Sequence, residues 1–273
     1  MRVTVLGSGS IGNATVVEAD GVRVLVDAGF SGRDIERRLL ACEVDPETLT
    51  GILITHEHGD HTRGMGVLAR RFDLPIYLSP GTRRACARLL RGRETIREYD
   101  GTRPFFIGPL EIRPFLTVHD AVDPIAVALV DHTTGTKFGV ATDLGRPTAA
   151  VRAALAGCDL LVLEANHDEA RLWNGPYPWS VKQRIASSHG HLSNHAAADL
   201  ALELHHADLA CVVLAHLSEQ CNDGELARDT IGAALDHGGF DGDLLVASQN
   251  EPLEPIDVAT LRARRQPAQL RLL

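Results

Sequence analysis

The run Ile52-Leu53-Ile54-Thr55-His56-Glu57-His58-Gly59-Asp60-His61 sets four metal-ligating side chains within six residues of an apolar strand. Imidazole nitrogens and a carboxylate suit zinc, manganese or iron, and Gly59 is expected to let the backbone turn tightly between ligands. In an extended turn alternate side chains face one way. His56 and His58 are therefore expected to share one ion while Asp60 and His61 reach another. Two ions need about three further ligands. Such ligands arrive most simply from the ends of other strands, so the cluster demands a sheet whose strand ends meet at one edge. Three positions fit: His119 after the strand 110–118, Asp143 after the apolar run 138–142, and His216 after 211–215. Asp143 has two oxygens with which to bridge a pair of ions.

Hydrophobic periodicity supports such a sheet. Strands are expected at 3–6, 15–18, 22–27, 51–55, 74–78, 110–118, 125–130, 137–141, 159–163, 209–215 and 244–247. Helices are expected at 31–41, 64–71, 147–156, 181–187, 194–205 and 224–237, with another opened by Ser79-Pro80 and a short helical turn at Asp45-Pro46. This is an α/β protein, and no linker divides its 273 residues, so one domain spans 1–273. Residues 261–273 carry four Arg and are expected to form a mobile basic tail.

Composition narrows the setting. No apolar run approaches the roughly 18–20 residues that cross a bilayer. The start runs directly into a strand pattern, so neither a membrane span nor a signal peptide is expected, and the cytoplasm is the default compartment. No pair among the five cysteines has structural-zinc spacing, so reduced, buried thiols are expected. Net charge is −9, which argues against a general nucleic-acid binder. The charge is uneven, however: residues 63–103 hold ten Arg and no Lys against four acidic residues. That stretch could meet a polyanion or simply form a solvated face.

His-x-His-x-Asp-His, with Asp27 closing an early strand and His119, Asp143 and His216 downstream, resembles the metallo-β-lactamase superfamily along nearly the whole chain. The resemblance implies a four-layer αββα sandwich with a dinuclear site at one edge. It implies that His56, His58 and His119 hold one ion, that Asp60, His61 and His216 hold the other, that Asp143 bridges, and that Asp27 supports the site without ligating. Gly7-Ser8-Gly9-Ser10-Ile11-Gly12-Asn13, His119-Asp120-Ala121, Glu164-Ala165-Asn166-His167, Gly190-His191-Leu192-Ser193-Asn194 and Ala215-His216-Leu217-Ser218 resemble the YycJ/WalJ-like branch. That branch implies a bacterial, cytoplasmic phosphodiesterase acting on DNA as a 5′-to-3′ exonuclease. One departure is Glu219-Gln220-Cys221-Asn222, where two adjacent Asn are expected.

A phosphoester substrate suits such a site. Two divalent ions, zinc or manganese, would hold a bridging hydroxide and neutralise charge in an in-line attack, so no Ser or Cys nucleophile is required. Asp60 and His191 are the catalytic candidates. His191 is the candidate proton donor to the leaving alkoxide and resembles the non-ligand His of tRNA 3′-processing endonucleases in the same superfamily, although a helix-capping or surface His also explains it. Ser8, Ser10 and Asn13, in the loop Gly7 to Asn13, are candidates for a phosphate nest, although a plain β-turn also explains the glycines. Lys182 and Arg184 beside Trp173, Tyr177 and Trp179, with Ser193 further on, are candidate substrate contacts, although a loop packed on the core explains them equally. The alternative is a small-molecule hydrolase of cyclic phosphates, lactones or thioesters. Cysteine spacing disfavours a cyclic-phosphate enzyme with an extra structural zinc. With 72 residues between Asp143 and His216, there is no room for the long inserted domain of the large RNA nucleases. A non-catalytic metal-binding scaffold would be expected to lack some of the ligands. Oligomeric state is not readable.

Overall fold

The computed structural model describes residues 1–265. They form two seven-stranded sheets packed face to face and covered by helices on both outer sides. In chain order the first half contributes β1 (Arg2–Gly7), β2 (Ala14–Ala19), β3 (Val22–Val26), α1 (Gly32–Ala41), β4 (Gly51–Leu53), α2 (Gly59–Thr62), α3 (Met65–Phe72), β5 (Ile76–Leu78), α4 (Pro80–Ala85), β6 (Ile96–Glu98), β7 (Phe105–Ile107) and β8 (Leu110–Leu116). The remainder contributes β9 (Ile125–Asp131), β10 (Thr136–Ala141), α5 (Ala149–Leu155), β11 (Leu160–Glu164), α6 (Glu169–Asn174), α7 (Trp179–Ile185), α8 (Asn194–Leu204), β12 (Cys211–Ala215), α9 (Gly224–His237), β13 (Asp243–Val246), β14 (Ile256–Asp257) and α10 (Val258–Arg265). The sheet orders are β14-β1-β2-β3-β4-β5-β6 and β13-β12-β11-β10-β9-β8-β7.

The period of two in each strand assigns its side chains to layers. Val3, Val5, Val24 and Val26 from one sheet meet Val127, Leu129, Phe138, Val162 and Val213 from the other in the central core. The alternate residues Leu6, Leu25, Ile52 and Ile54 face Ile35, Leu39, Met65 and Leu68 of α1 and α3. Leu161, Leu163, Val212 and Leu214 face Val151, Leu155, Leu200, Leu204, Ile231 and Leu235 of α5, α8 and α9. Each such side chain, fully buried, contributes about 1.5–3 kcal/mol. Helix starts are fixed where the sequence places cap residues: Ser31, Ser79, Thr148, Asp168, Ser193 and Asp223 each accept an amide from the first helical turn.

The αββα sandwich expected from the resemblance is the architecture found. The short strands β6, β7 and β14 and the helices α2 and α6 carry too few residues for periodicity to reveal them, and α10 runs into the stretch expected to be a tail. The expectation of a mobile tail from residue 261 is corrected in part. Residues 258–265 form α10, Leu261 is buried in the central core, and the Arg262 guanidinium pairs with buried Asp159. The rest of that tail, 266–273, lies outside the described residues. Among the described residues no helix is long and apolar enough to cross a membrane. All five cysteines are free and buried, and burial pushes the Cys158 and Cys211 thiols up to about 12.

Candidate metal centre

β1, β3 and β4 run one way in the first sheet, and β8, β10, β11 and β12 run one way in the second, as their pairings require; side chains at the C-terminal ends of both sets meet along one edge of the sandwich. Asp27, His56, His119, Asp143, Glu164 and His216 lie at or within three residues of those ends. Asp27, Asp143 and His216 each take a left-handed backbone, with φ of 60°, 59° and 56°. This conformation turns the chain sharply out of a strand and is strained for residues with a Cβ, least so for Asp, Asn and His.

Ligand-type atoms fall into four overlapping groups, two of which, Asp143-Glu164-His191-His216 and His56-His61-Asp143, tie the other two together. Of those other two, His56, His58 and His119 form one, and Asp60, His61 and His216 the second. Asp143 lies between them. Its Oδ1 is 3.4 Å from His119 Nε2 and 3.8 Å from His216 Nε2, and its Oδ2 is 3.0 Å from His61 Nε2 but without hydrogen-bond geometry. The second half of the central motif is not an extended turn. Gly59–Thr62 is a turn of helix with His58 at its start, so Asp60 and His61 are successive helical residues. Gly59 needs no special freedom, because a Cβ there would meet open space. The glycine that matters is Gly29, where a Cβ would fall 1.6 Å from the Asp60 carbonyl oxygen.

Each imidazole is aimed by what its other nitrogen touches. His61 Nδ1 lies 2.7 Å from Asp27 Oδ2, and His216 Nδ1 lies 2.8 Å from Glu164 Oε1. A carboxylate only accepts, so Nδ1 carries the proton and Nε2 presents its lone pair to the site. His119 Nδ1 likewise donates to the Gly190 carbonyl at 3.1 Å. Thr55 Oγ1 donates to Asp27 and, 3.1 Å from His56 Nδ1, accepts from that ring.

The residues fit divalent cations. His56 Nε2 and Asp143 Oδ2 are buried with no hydrogen-bond partner, a costly arrangement unless another group satisfies them. His119 Nε2 faces His58 Nδ1 at 3.3 Å, a pairing of ligand atoms that a cation would hold together. Charge agrees. Burial opposes protonation of His61 and His216, yet carboxylates carry both well above the usual imidazole value: Asp27, Asp143 and Asp60 for the first, Asp143, Asp60 and Glu164 for the second. Burial depresses His56 and His119, with His61 and His191 respectively adding to the effect. Asp60 stays ionised against its burial because His61 and His216 face it. A field that binds protons this strongly is one that a divalent cation meets.

His191 lines the same cavity, about 390 Å³ in volume, with Asp143, His119, Tyr177, Arg184, Ser10 and Ser218. Its Nδ1 lies 2.8 Å from Glu164 Oε1, and although burial opposes it, that carboxylate raises its pKa. Glu164, fully buried, also accepts the amides of Asp143, Leu144 and Leu192. Its sequence signal, an acidic residue ending the apolar strand Leu160–Glu164, was visible but gave no role.

Several expected substrate contacts are placed otherwise. The Gly7–Asn13 loop is not a fully open phosphate nest, because five of its amides, Ser10's not among them, are already used. Ser8 N donates to Ser248 O, Gly9 N to Asn13 Oδ1, Ile11 N to Gln249 Oε1, Gly12 N to Gly9 O and Asn13 N to Asp60 O. Ser8 Oγ accepts the His216 amide and donates to Asn13, whose Nδ2 lies 3.2 Å from His61 Nε2, so both residues brace ligands. Only Ser10 of the three reaches the cavity. Lys182 donates to the Trp173 carbonyl at 2.7 Å, and Ser193 caps α8, and neither lines the cavity. Arg184 does, with its guanidinium 3.7 Å from Asp120.

Comparison with known proteins agrees with this arrangement. A family model for the β-lactamase superfamily domain matches residues 22–217. The exodeoxyribonuclease YycJ of Bacillus anthracis is 35% identical over 263 residues, covering 94% of this chain and 98% of that protein. The exodeoxyribonuclease WalJ of Streptococcus pneumoniae is 35% identical over 236 residues, covering 84% and 86%. Among solved structures, the metallo-β-lactamase fold protein YhfI from Bacillus subtilis superposes with a TM-score of 0.72 at 20% identity, covering 93% of this chain and 99% of that one. Ligand geometry, sandwich and identity over almost the full length lead to one assignment: the chain belongs to the metallo-β-lactamase superfamily, in its YycJ/WalJ-like branch.

Proposed function

We propose that this metal-dependent hydrolase cleaves phosphodiesters in DNA, as a dinuclear 5′-to-3′ exonuclease of the cytoplasm. The observation that carries the reading is the shared cavity. Two clusters of candidate ligands meet at Asp143, and the His191 imidazole, read here as a proton donor and not a ligand, faces the same space with its Nδ1 against Glu164. Two ions held by His56, His58 and His119, and by Asp60, His61 and His216, with Asp143 between, would activate water and offset phosphoryl charge. Zinc and manganese both suit these donors.

The chain's own groups supply the rest. The Glu164 carboxylate keeps the His191 proton on Nδ1 when the ring is neutral and favours the doubly protonated ring, whose Nε2 proton is available to a departing alkoxide. Arg184 and Ser10 at the cavity wall supply a cation and a hydroxyl to a non-bridging phosphate oxygen. Both YycJ and WalJ are named as exodeoxyribonucleases, which favours DNA over the small-molecule alternative.

The test is hydrolysis of 5′- and 3′-labelled DNA and RNA side by side, with zinc or manganese. Metal-dependent release from the 5′ end of 5′-phosphorylated DNA is expected. His191→Ala should retain both ions and slow turnover by about 10²–10⁴-fold. Robust lactone or thioester turnover without nuclease activity would sink the proposal.

A further inference from the structure

The helical turn that carries Asp60 and His61 runs straight into an arginine. Arg63 keeps helical backbone angles, and its amide donates to the Gly59 carbonyl at 3.1 Å. Residues four apart share a helix face, and each Cβ tilts toward the helix start, so the exposed Arg63 side chain leans back over Gly59. Gly59 lines the cavity, and a Cβ there would meet open space. No side chain of that residue therefore stands between Arg63 and the cavity mouth, about 6 Å away along the helix axis.

Arg63 is not alone. The buried Cys86 thiol lies against Thr62, and a Cβ on Gly66 would fall 2.7 Å from the Leu89 carbonyl oxygen. Residues 86–89 thus run beside 62–66, which puts Arg88 on the surface that Arg63 begins. Arg91 and Arg93 follow on a pinned loop: the Glu94 carboxylate accepts both of their amides and pairs with Arg70. Arg63, Arg88, Arg91 and Arg93 are all exposed, and among the described residues none of them makes an ion pair. Four like charges held together repel one another, on a chain whose net charge is −9. Anions relieve that cost, and a series of guanidinium forks suits a series of phosphates. A small diester would fill the cavity and leave this surface bare, whereas a polynucleotide continues across it. We propose that these arginines grip the sugar–phosphate backbone beyond the nucleotide in the cavity, with Arg63 on the phosphate nearest the metal centre. This rests on the phosphodiesterase reading above.

Release of counterions counts the phosphates that a protein neutralises. The metal-loaded protein is titrated into fluorescent, phosphorothioate-linked DNA at several potassium chloride concentrations, and the logarithm of affinity is plotted against that of salt. Arg63→Gln and Arg88→Gln are each expected to weaken binding and to make the slope shallower by about 0.7–0.9, the change for one lost phosphate contact. Arg83→Gln removes the same charge from an arginine already paired with Glu98 and should keep the wild-type slope. On cleavable DNA, Arg63→Gln and Arg88→Gln should raise KM more than they lower kcat, with metal content intact. Wild-type slopes in those two variants, or an equal change in Arg83→Gln, overturn the grip, and metal-dependent cleavage by the wild type leaves the phosphodiesterase reading standing. A metal-loaded wild type that cleaves neither DNA nor bis(p-nitrophenyl) phosphate overturns the reading beneath it.

Discussion

The two clusters of candidate ligands are backed differently. His56 and His119 rest on neutral groups, the Thr55 hydroxyl and the Gly190 carbonyl. His61 and His216 rest on carboxyl groups buried with them, Asp27 and Glu164. A carboxylate behind an imidazole raises its basicity and fixes its orientation more firmly than a neutral acceptor does. The Asp60 cluster also contains a carboxylate ligand, whereas the His56 cluster is imidazole alone. The comparison teaches that the side-chain types decide which cations would fit, while the groups behind them would make the two clusters hold a cation unequally.

The largest disturbance should come from Asp143, which faces both clusters. Asp143→Ala is expected to lower the content of both ions together and abolish turnover, as read by elemental analysis of the purified protein. Retention of one ion at full stoichiometry would break the picture of two coupled clusters. Next come the supports. Asp27→Asn and Glu164→Gln should weaken metal binding or activity by about 10–100-fold, whereas Thr55→Val should fall at or below the low end of that range. Competition with a chelator measures this, and equal losses in all three variants would erase the distinction between charged and neutral backing. The smallest effect tests the brace. Ser8→Ala removes the acceptor for the His216 amide and a donor to Asn13, which should cost about 1–3 kcal/mol of stability in denaturant unfolding with metal stoichiometry intact.

The candidate ligands were legible in the sequence because each follows an apolar strand, although Asp60 and His61 reach the site from a helical turn and not by strand alternation. His56, His58, Asp60, His61, His119, Asp143 and His216 are all brought together. What stayed hidden depends on partners distant in sequence. The amides of the Gly7–Asn13 loop looked free until Gln249 and Asp60 were seen to use them. Lys182 looked like a phosphate contact because nothing local reveals that Trp173 takes its ammonium. Glu164 ends a buried strand like any hydrophobic residue, and only the approach of His191 and His216 gives it a task. The ten arginines of 63–103 resolve into a mixture. Arg70, Arg71, Arg83 and Arg103 face Glu94, Glu36, Glu98 and Asp100, while Arg63, Arg84, Arg88, Arg91, Arg93 and Arg97 are exposed.

The left-handed residues Asp27, Asp143 and His216 set how this protein can decay. Each holds a conformation that glycine would adopt without cost, at a position where the side chain serves the site. In a lineage released from selection for the chemistry, drift to glycine there would remove a candidate ligand, or at Asp27 the group behind one, and relax the backbone in one step. Loss of function at these three positions is thus an easy path that the fold itself favours. A descendant that keeps Asp, Asp and His there is one in which selection still opposes that path.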